Sequence, residues 1–224
     1  MKVLENNFKL KFKKNSFDFD NVAKGYEPFI VAEIINLLCD GNVLVMLDNN
    51  KDVDSFCSTY SKLNSSIAAK NFPSWDCSPY DEVSPSKNNI NKRFQIFKEF
   101  TVDNNKNKLI VTSYKNIVML FPNKKEIKNN FYNIHVGKEY KIDKITDDLA
   151  KKGYSRVSLV LEPNEYALRG GIIDLWPLGE KTPYRLDFFG NYLETIKEFD
   201  PLSQISNVEH KKLFVYENIE PPLT

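Results

Sequence analysis

The chain has 224 residues, 42% hydrophobic, 13% aromatic and 27% charged, enough apolar material for one large core or two modest ones, and the pattern favours two. Its 31 basic and 30 acidic residues leave a formal charge of +1, so no global field draws it to a polyanion or a membrane, and charge gives no support to a stand-alone DNA-binding domain. The N-terminal MKVLENNFKLKFKK lacks a sustained apolar run and no window is long enough to span a bilayer, which reads as a soluble, cytoplasmic protein without a membrane partner.

Along the chain, Phe29, Ile30, Ile34, Ile35 and Leu38 recur at helical spacing, with Gly41 as the stop. Asn42 to Leu47, NVLVML, is a continuous apolar run of the kind expected for a strand covered on both faces of a parallel sheet. A second amphipathic helix spans about Lys51 to Leu63, and Ser66 to Ala69 is a possible strand. The loop PSWDCSPYDEVSPS breaks regular structure before Ile90, Phe94, Phe97 and Phe100 restore a helical stripe, and KLIVT from Lys108 to Thr112 repeats the buried-strand pattern. Such alternation predicts an α/β unit with a largely parallel sheet.

FPNKKEIKNN, Phe121 to Asn130, cannot supply a core and marks a boundary. Beyond it, Lys141 to Lys152 reads as a helix burying Ile145 and Leu149 and stopped by Gly153. The remainder reads as strands over Arg156 to Leu161, Gly171 to Trp176, Tyr184 to Phe189 and Tyr192 to Phe199. Glycine first in the two-residue loop Gly190-Asn191 predicts a type II′ hairpin. The second unit is thus a sheet with a helix packed on it.

Catalytic chemistry finds little to start from. The phosphate loop GxxxxGK[ST] is absent. The comparable stretch, NVAKGYEPFI, offers Lys24 and Gly25 but also Glu27 and Pro28, which would repel a phosphate and remove a backbone donor, so a solvated turn is the plainer reading. Asp76, Asp81 and Glu82 read as solvated or helix-capping carboxylates rather than an acid–base pair or magnesium ligands. Cys39, Cys57 and Cys77 form no CxxC pair and have only His135 and His210 as further soft ligands, which fits small buried thiols better than a zinc site. Neither histidine lies in a nucleophile motif. Trp75 and Tyr80 could stack on bases, and Lys124, Lys125 and Lys128 could touch a phosphate backbone, but a packed-down loop and a solvated linker explain them as well.

Tyr166 to Ser206 is the most informative stretch, and it reads as a recognition surface without a catalyst. Over Tyr184 to Phe189, alternation sends Tyr184, Leu186 and Phe188 to one face and Arg185, Asp187 and Phe189 to the other. An arginine beside an aromatic on an exposed face is the composition of an interface anchor.

The segments EYALRGGIIDLWP, PYRLDFFG and EFDPLSQIS, after Gly153 and Tyr154, resemble the UvrA-interaction domain shared by UvrB and the bacterial transcription-repair coupling factor. FIVAEI, SPYDEVSP and the helix near Arg93 resemble the first domain of the coupling factor, so the likeness covers nearly the whole chain. The broken phosphate loop favours the coupling factor over UvrB.

That resemblance implies a degenerate P-loop-type parallel-sheet domain over residues 1–125, a smaller α+β UvrA-interaction domain with antiparallel hairpins over 126–210, and the start of a following segment over 211–224. It implies a non-catalytic module without cofactor that brings UvrA to RNA polymerase stalled at DNA damage. The whole family protein also engages DNA through an ATP-driven motor and masks the UvrA surface with a C-terminal domain. With no motor before Thr224, the chain reads as a fragment of a longer protein. Carried over by motif, the UvrA contacts are Arg169, Arg185 and Phe189. The plain alternatives are that Arg169 braces the hairpin through Glu165 or Asp174, and that Phe189 packs under the neighbouring hairpin. Asn164 stands where the family usually has glycine and should keep positive φ, and Trp176 replaces the usual phenylalanine. Two rival readings are a UvrB-like ATP-dependent helicase fragment, binding nucleotide at Lys24 and Gly25, and a DNA-contacting module.

Overall fold

The computed structural model describes residues 11–13, 16–38, 41–63, 67–77, 83–102, 108–119, 121–122 and 124–218. Cys39, Tyr80, Asp81 and Glu82 lie outside the described residues, as do Ser66 and the side chain of Lys124. After a short antiparallel pair, β1 (Lys11–Lys13) and β2 (Ser16–Asp18), the chain builds a mixed α/β arrangement of a three-stranded parallel sheet, a second antiparallel pair and a six-stranded sheet that is antiparallel but for one pair.

The parallel sheet contains β3 (Val43–Leu47), β4 (Ala69–Phe72) and β5 (Leu109–Ser113) in the order β3-β5-β4. Helices α1 (Glu27–Leu38) and α2 (Asn50–Tyr60) supply Ile35, Val53, Phe56 and Tyr60 to a core against Leu109 and Val111. Asn49 caps α2 by accepting the Asp52 N–H at 3.0 Å. All of β5 is buried, as expected of a central strand, but β3 is not covered on both faces: Leu44 and Met46 are 58% and 55% exposed. Among the described residues β3 is an edge strand, and its second apolar set, Leu44 and Met46, stays open to solvent. The possible strand at 66–69 is displaced to β4.

Helix α3 (Lys87–Val102) joins the two halves. Its Phe94 and Phe97 enter the larger core, while Asn91 accepts the Gly179 N–H at 2.7 Å and donates to Glu180 O at 2.8 Å. Arg93, on the same helix, is fully buried. Its Nη1 donates to Pro73 O and Asn116 Oδ1, and its guanidinium lies 4.7 Å from the Phe72 ring and 5.7 Å from the Trp75 ring. Trp75 therefore packs its loop onto the protein.

The segment expected to contribute no core forms α4 (Lys124–Asn129), which buries Ile127. β6 (Phe131–His135) pairs antiparallel with β13 (Lys212–Tyr216), and both line the larger core with α5 (Ile142–Lys151), whose Ile145 and Leu149 are buried as expected. Gly153, at φ +83°, ends that helix.

The large sheet has the order β12-β11-β10-β9-β8-β7, formed by β7 (Ser155–Arg156), β8 (Glu165–Arg169), β9 (Ile172–Leu175), β10 (Tyr184–Phe189), β11 (Tyr192–Phe199) and β12 (Ser206–His210). All neighbours are antiparallel except β7 and β8. The strand expected from Arg156 to Leu161 ends at Arg156, because Glu165 draws the following loop inward by accepting the N–H groups of Leu161 and Glu162.

Candidate functional site

Strand β10 is buried at Tyr184, Leu186 and Phe188, whereas Asp187 and Phe189 are exposed and Arg185 is half-buried. The alternation read from the sequence thus holds across the strand. A bulge between Asp187 and Phe188 shifts the β10–β11 register just before the turn. In the turn itself Gly190 has φ +60°, and Asn191 keeps negative φ, the II′ pattern. Phe189, opposite Tyr192, is 78% exposed, so it is not packed under a hairpin.

The neighbouring hairpin explains the glycine pair. Gly170 has φ +59° between the partners Arg169 and Ile172. A Cβ on Gly171 would lie 2.7 Å from the Phe188 carbonyl oxygen, and Phe188 N–H donates to Gly171 O at 2.9 Å. The β8–β9 turn is therefore locked against the strand that presents Phe189. Asn164 holds φ +66°, the conformation expected where the family has glycine.

Arg169 and Arg185 converge on one carboxylate. Asp174, 1% exposed, sits opposite Arg185 in the β9–β10 register. It accepts Arg185 Nε at 2.6 Å and Nη2 at 3.0 Å, and it also accepts Nη2 of Arg169. Arg169 braces through Asp174 and not through Glu165, which pairs with Lys87 at 2.6 Å. The Arg169 side chain stays 50% exposed and directs further N–H donors outward. Arg185, 22% exposed, also donates to Gln204 O and Oε1, both at 3.2 Å, and lies 4.7 Å from the Phe199 ring centroid. The Asp174 hydrogen bond raises the Arg185 pKa still further, with Asp187 adding to it, so its charge is permanent. Asp174 was legible as one possible brace for Arg169. Its bond to Arg185 and the contribution of Gln204 depend on register and on a loop fold that local pattern does not encode.

The other candidates are placed separately. Lys24 and Gly25 form an exposed turn closed by Tyr26 N–H to Ala23 O at 3.0 Å. It borders a cleft of about 490 Å³ that also meets Glu27, Pro28, Asp48 and Asp52. Glu27 in the first turn of α1, with Asp48 and Asp52 on the same cleft, makes it unfavourable to a phosphate. Asp76 accepts the Ser86 N–H just before α3; burial would raise its carboxyl, but the Ser86 hydrogen bonds outweigh that and hold it below its usual range. Cys57 and Cys77 are half-buried thiols in no disulfide, with Cys57 pushed up to about 11 by burial and by Asp54. His210 pairs with Glu198 at 2.7 Å. Among the described residues no three His, Cys, Asp or Glu side chains are grouped to hold a metal, and no helix is long and apolar enough to cross a membrane.

Residues 132–219 match the family model described as the UvrB interaction domain. The transcription-repair-coupling factor of Haemophilus influenzae is 31% identical over 193 residues, 84% of this chain and 16% of that protein. That of Rickettsia conorii is 32% identical over 145 residues, 64% of the chain and 13% of the relative. The Borreliella burgdorferi protein of the same name is 26% identical over 214 residues, 92% of the chain and 18% of the relative. The chain therefore spans less than a fifth of each of these three relatives.

Proposed function

The chain belongs to the transcription-repair-coupling factors as their UvrB-like module, and from that premise we propose that it is a docking module recruiting UvrA to RNA polymerase stalled at damaged DNA, in nucleotide excision repair. On this reading the UvrB interaction domain it carries works by binding and not by catalysis. The observation that carries the reading is Phe189, an aromatic ring left in solvent on a glycine-locked hairpin, with two arginines held on the same sheet by a buried carboxylate. Phe189 enters an apolar pocket on UvrA, while Arg169 and Arg185 face carboxylates there. Rigid backbone and pre-paired guanidinium groups lower the ordering cost of association.

The three-stranded parallel unit is, on this reading, a degenerate phosphate-loop domain over residues 1–125. The UvrA-interaction domain covers 126–210, and 211–224 leads into a following segment. In the whole protein a downstream ATP-driven motor acts on DNA, and a C-terminal domain masks the UvrA surface until the motor engages. The protein works in the cytoplasm.

Co-purification with UvrA tests the reading. The wild-type chain should retain UvrA and the Arg185→Ala, Phe189→Ala double variant should lose it; retention by the variant at wild-type strength refutes the assignment. The cleft beside Lys24 is what a nucleotide-binding helicase fragment would require. Its acidic lining disfavours that alternative, and titration calorimetry with ATP and magnesium should give no heat of binding.

A further inference from the structure

We infer that the docking face continues from the Phe189 hairpin across Arg185 onto the loop 200–205, which offers Leu202 and Ile205 to UvrA as a second apolar anchor; the inference rests on the docking reading above. Phe189 and two partly covered arginines cannot form a specific interface alone. A stable contact takes about 800 Å² per partner, whereas a single aromatic side chain supplies roughly 200 Å². The face must extend, and the structure has an exposed apolar pair on the loop whose Gln204 holds the Arg185 guanidinium. Leu202 is 88% exposed and Ile205 63%.

Scattered exposed leucines are ordinary on a protein surface. This pair differs because its loop is built and attached. Asp200 Oδ1 accepts the N–H groups of Leu202 and Ser203 at 3.1 and 2.7 Å. The Gln204 N–H donates to Asp200 O at 2.7 Å and the Asp200 N–H to Ile205 O at 3.0 Å, closing the loop, with Gln204 at φ +61°. The Gln204 side chain donates to Pro201 O at 2.7 Å. The Gln204 backbone O and side-chain Oε1 both accept from Arg185, whose guanidinium lies over the buried ring of Phe199. Leu202 and Ile205 are thus presented in a fixed position rather than on a loose tip.

Distance allows one partner to cover both anchors. Four residues of strand separate Arg185 from Phe189, about 13 Å, and a footprint of the usual size centred on Arg185 reaches about 16 Å. The anchors then flank the arginines, and the partner surface that fits them has two apolar pockets with acidic groups between.

UvrA titrated by calorimetry into the wild-type chain, Phe189→Ala, the pair Leu202→Ser and Ile205→Ser, and Leu44→Ser tests this. Leu44 is an exposed control on the parallel sheet. The pair variant should bind about tenfold or more weakly while melting as wild type does, and Leu44→Ser should bind normally. Wild-type affinity in the pair variant with a loss in Phe189→Ala overturns the extension alone. No binding by wild type, or full binding by Phe189→Ala, overturns the docking reading and the extension with it. An equal loss in Leu44→Ser also overturns the extension, since the effect would then be general stickiness.

Discussion

The two sheets of this chain treat charge and apolar surface in opposite ways. In the parallel sheet, carboxylates line the cleft beside the start of α1, and the outer side chains of edge strand β3 stay open to solvent. In the six-stranded sheet, one carboxylate is taken inside to hold two arginines, and apolar groups stand outside on fixed turns. The first arrangement works against binding a phosphate. The second resembles one half of a protein interface, organised before its partner arrives. On the docking reading proposed above, function follows the six-stranded sheet.

The contrast breaks most easily at Asp174. Replacing Arg169 and Arg185 together by alanine leaves its charge buried and unpaired and should destabilise the chain by about 3–5 kcal/mol in urea unfolding. Adding Asp174→Ala should recover part of that loss, because the uncompensated charge is gone; no recovery would mean the arginines stabilise by packing alone. Single arginine changes consequently weaken the scaffold as well as the docking face. A smaller loss, about 1–3 kcal/mol, is expected for Gly171→Ala, whose new methyl would press on the Phe188 carbonyl. Thermal melting would show it, and an unchanged midpoint would contradict the close approach.

The seam between the halves sharpens the comparison through pH. Burial alone would raise the Glu165 carboxyl, but hydrogen bonds from Lys87 and from the Leu161 and Glu162 N–H groups outweigh it and hold the group below its ordinary value of 4.5. A depressed carboxylate contributes fully above that ordinary value and loses its contribution as pH falls through the lower folded value. Lys87→Met should therefore cost about 1 kcal/mol at neutral pH and flatten the acid limb of the stability curve. An unaltered limb would show that Lys87 does not set this titration. The smallest effect is expected at the cleft: Lys24→Ala should change UvrA affinity by less than about 0.5 kcal/mol.

What the sequence disclosed follows from the range of the signals. The faces of β10, the Gly190 turn and helix α5 were legible because alternation, turn chemistry and helical spacing operate over a few residues. The bare side of β3 was not, since NVLVML is apolar throughout and does not tell a central strand from an edge. The pairing of β6 with β13 joins distant segments whose local patterns do not encode a partner. Arg93, on a helix otherwise marked by its phenylalanines, gives no local sign that four aromatic rings will surround its charge. At the docking face, Arg169, Arg185 and Phe189 were named by resemblance to a known motif. The contacts that fix them, Asp174 to Arg185 and Gln204 to Arg185, needed the sheet register.

Phe189 gives the most direct test, because its ring is exposed and its removal should leave the fold untouched. Measured by titration with UvrA alongside thermal melting, Phe189→Ala should bind at least about thirtyfold more weakly than wild type, roughly 2 kcal/mol, with an unchanged melting midpoint. Equal affinity for the two proteins would contradict the account.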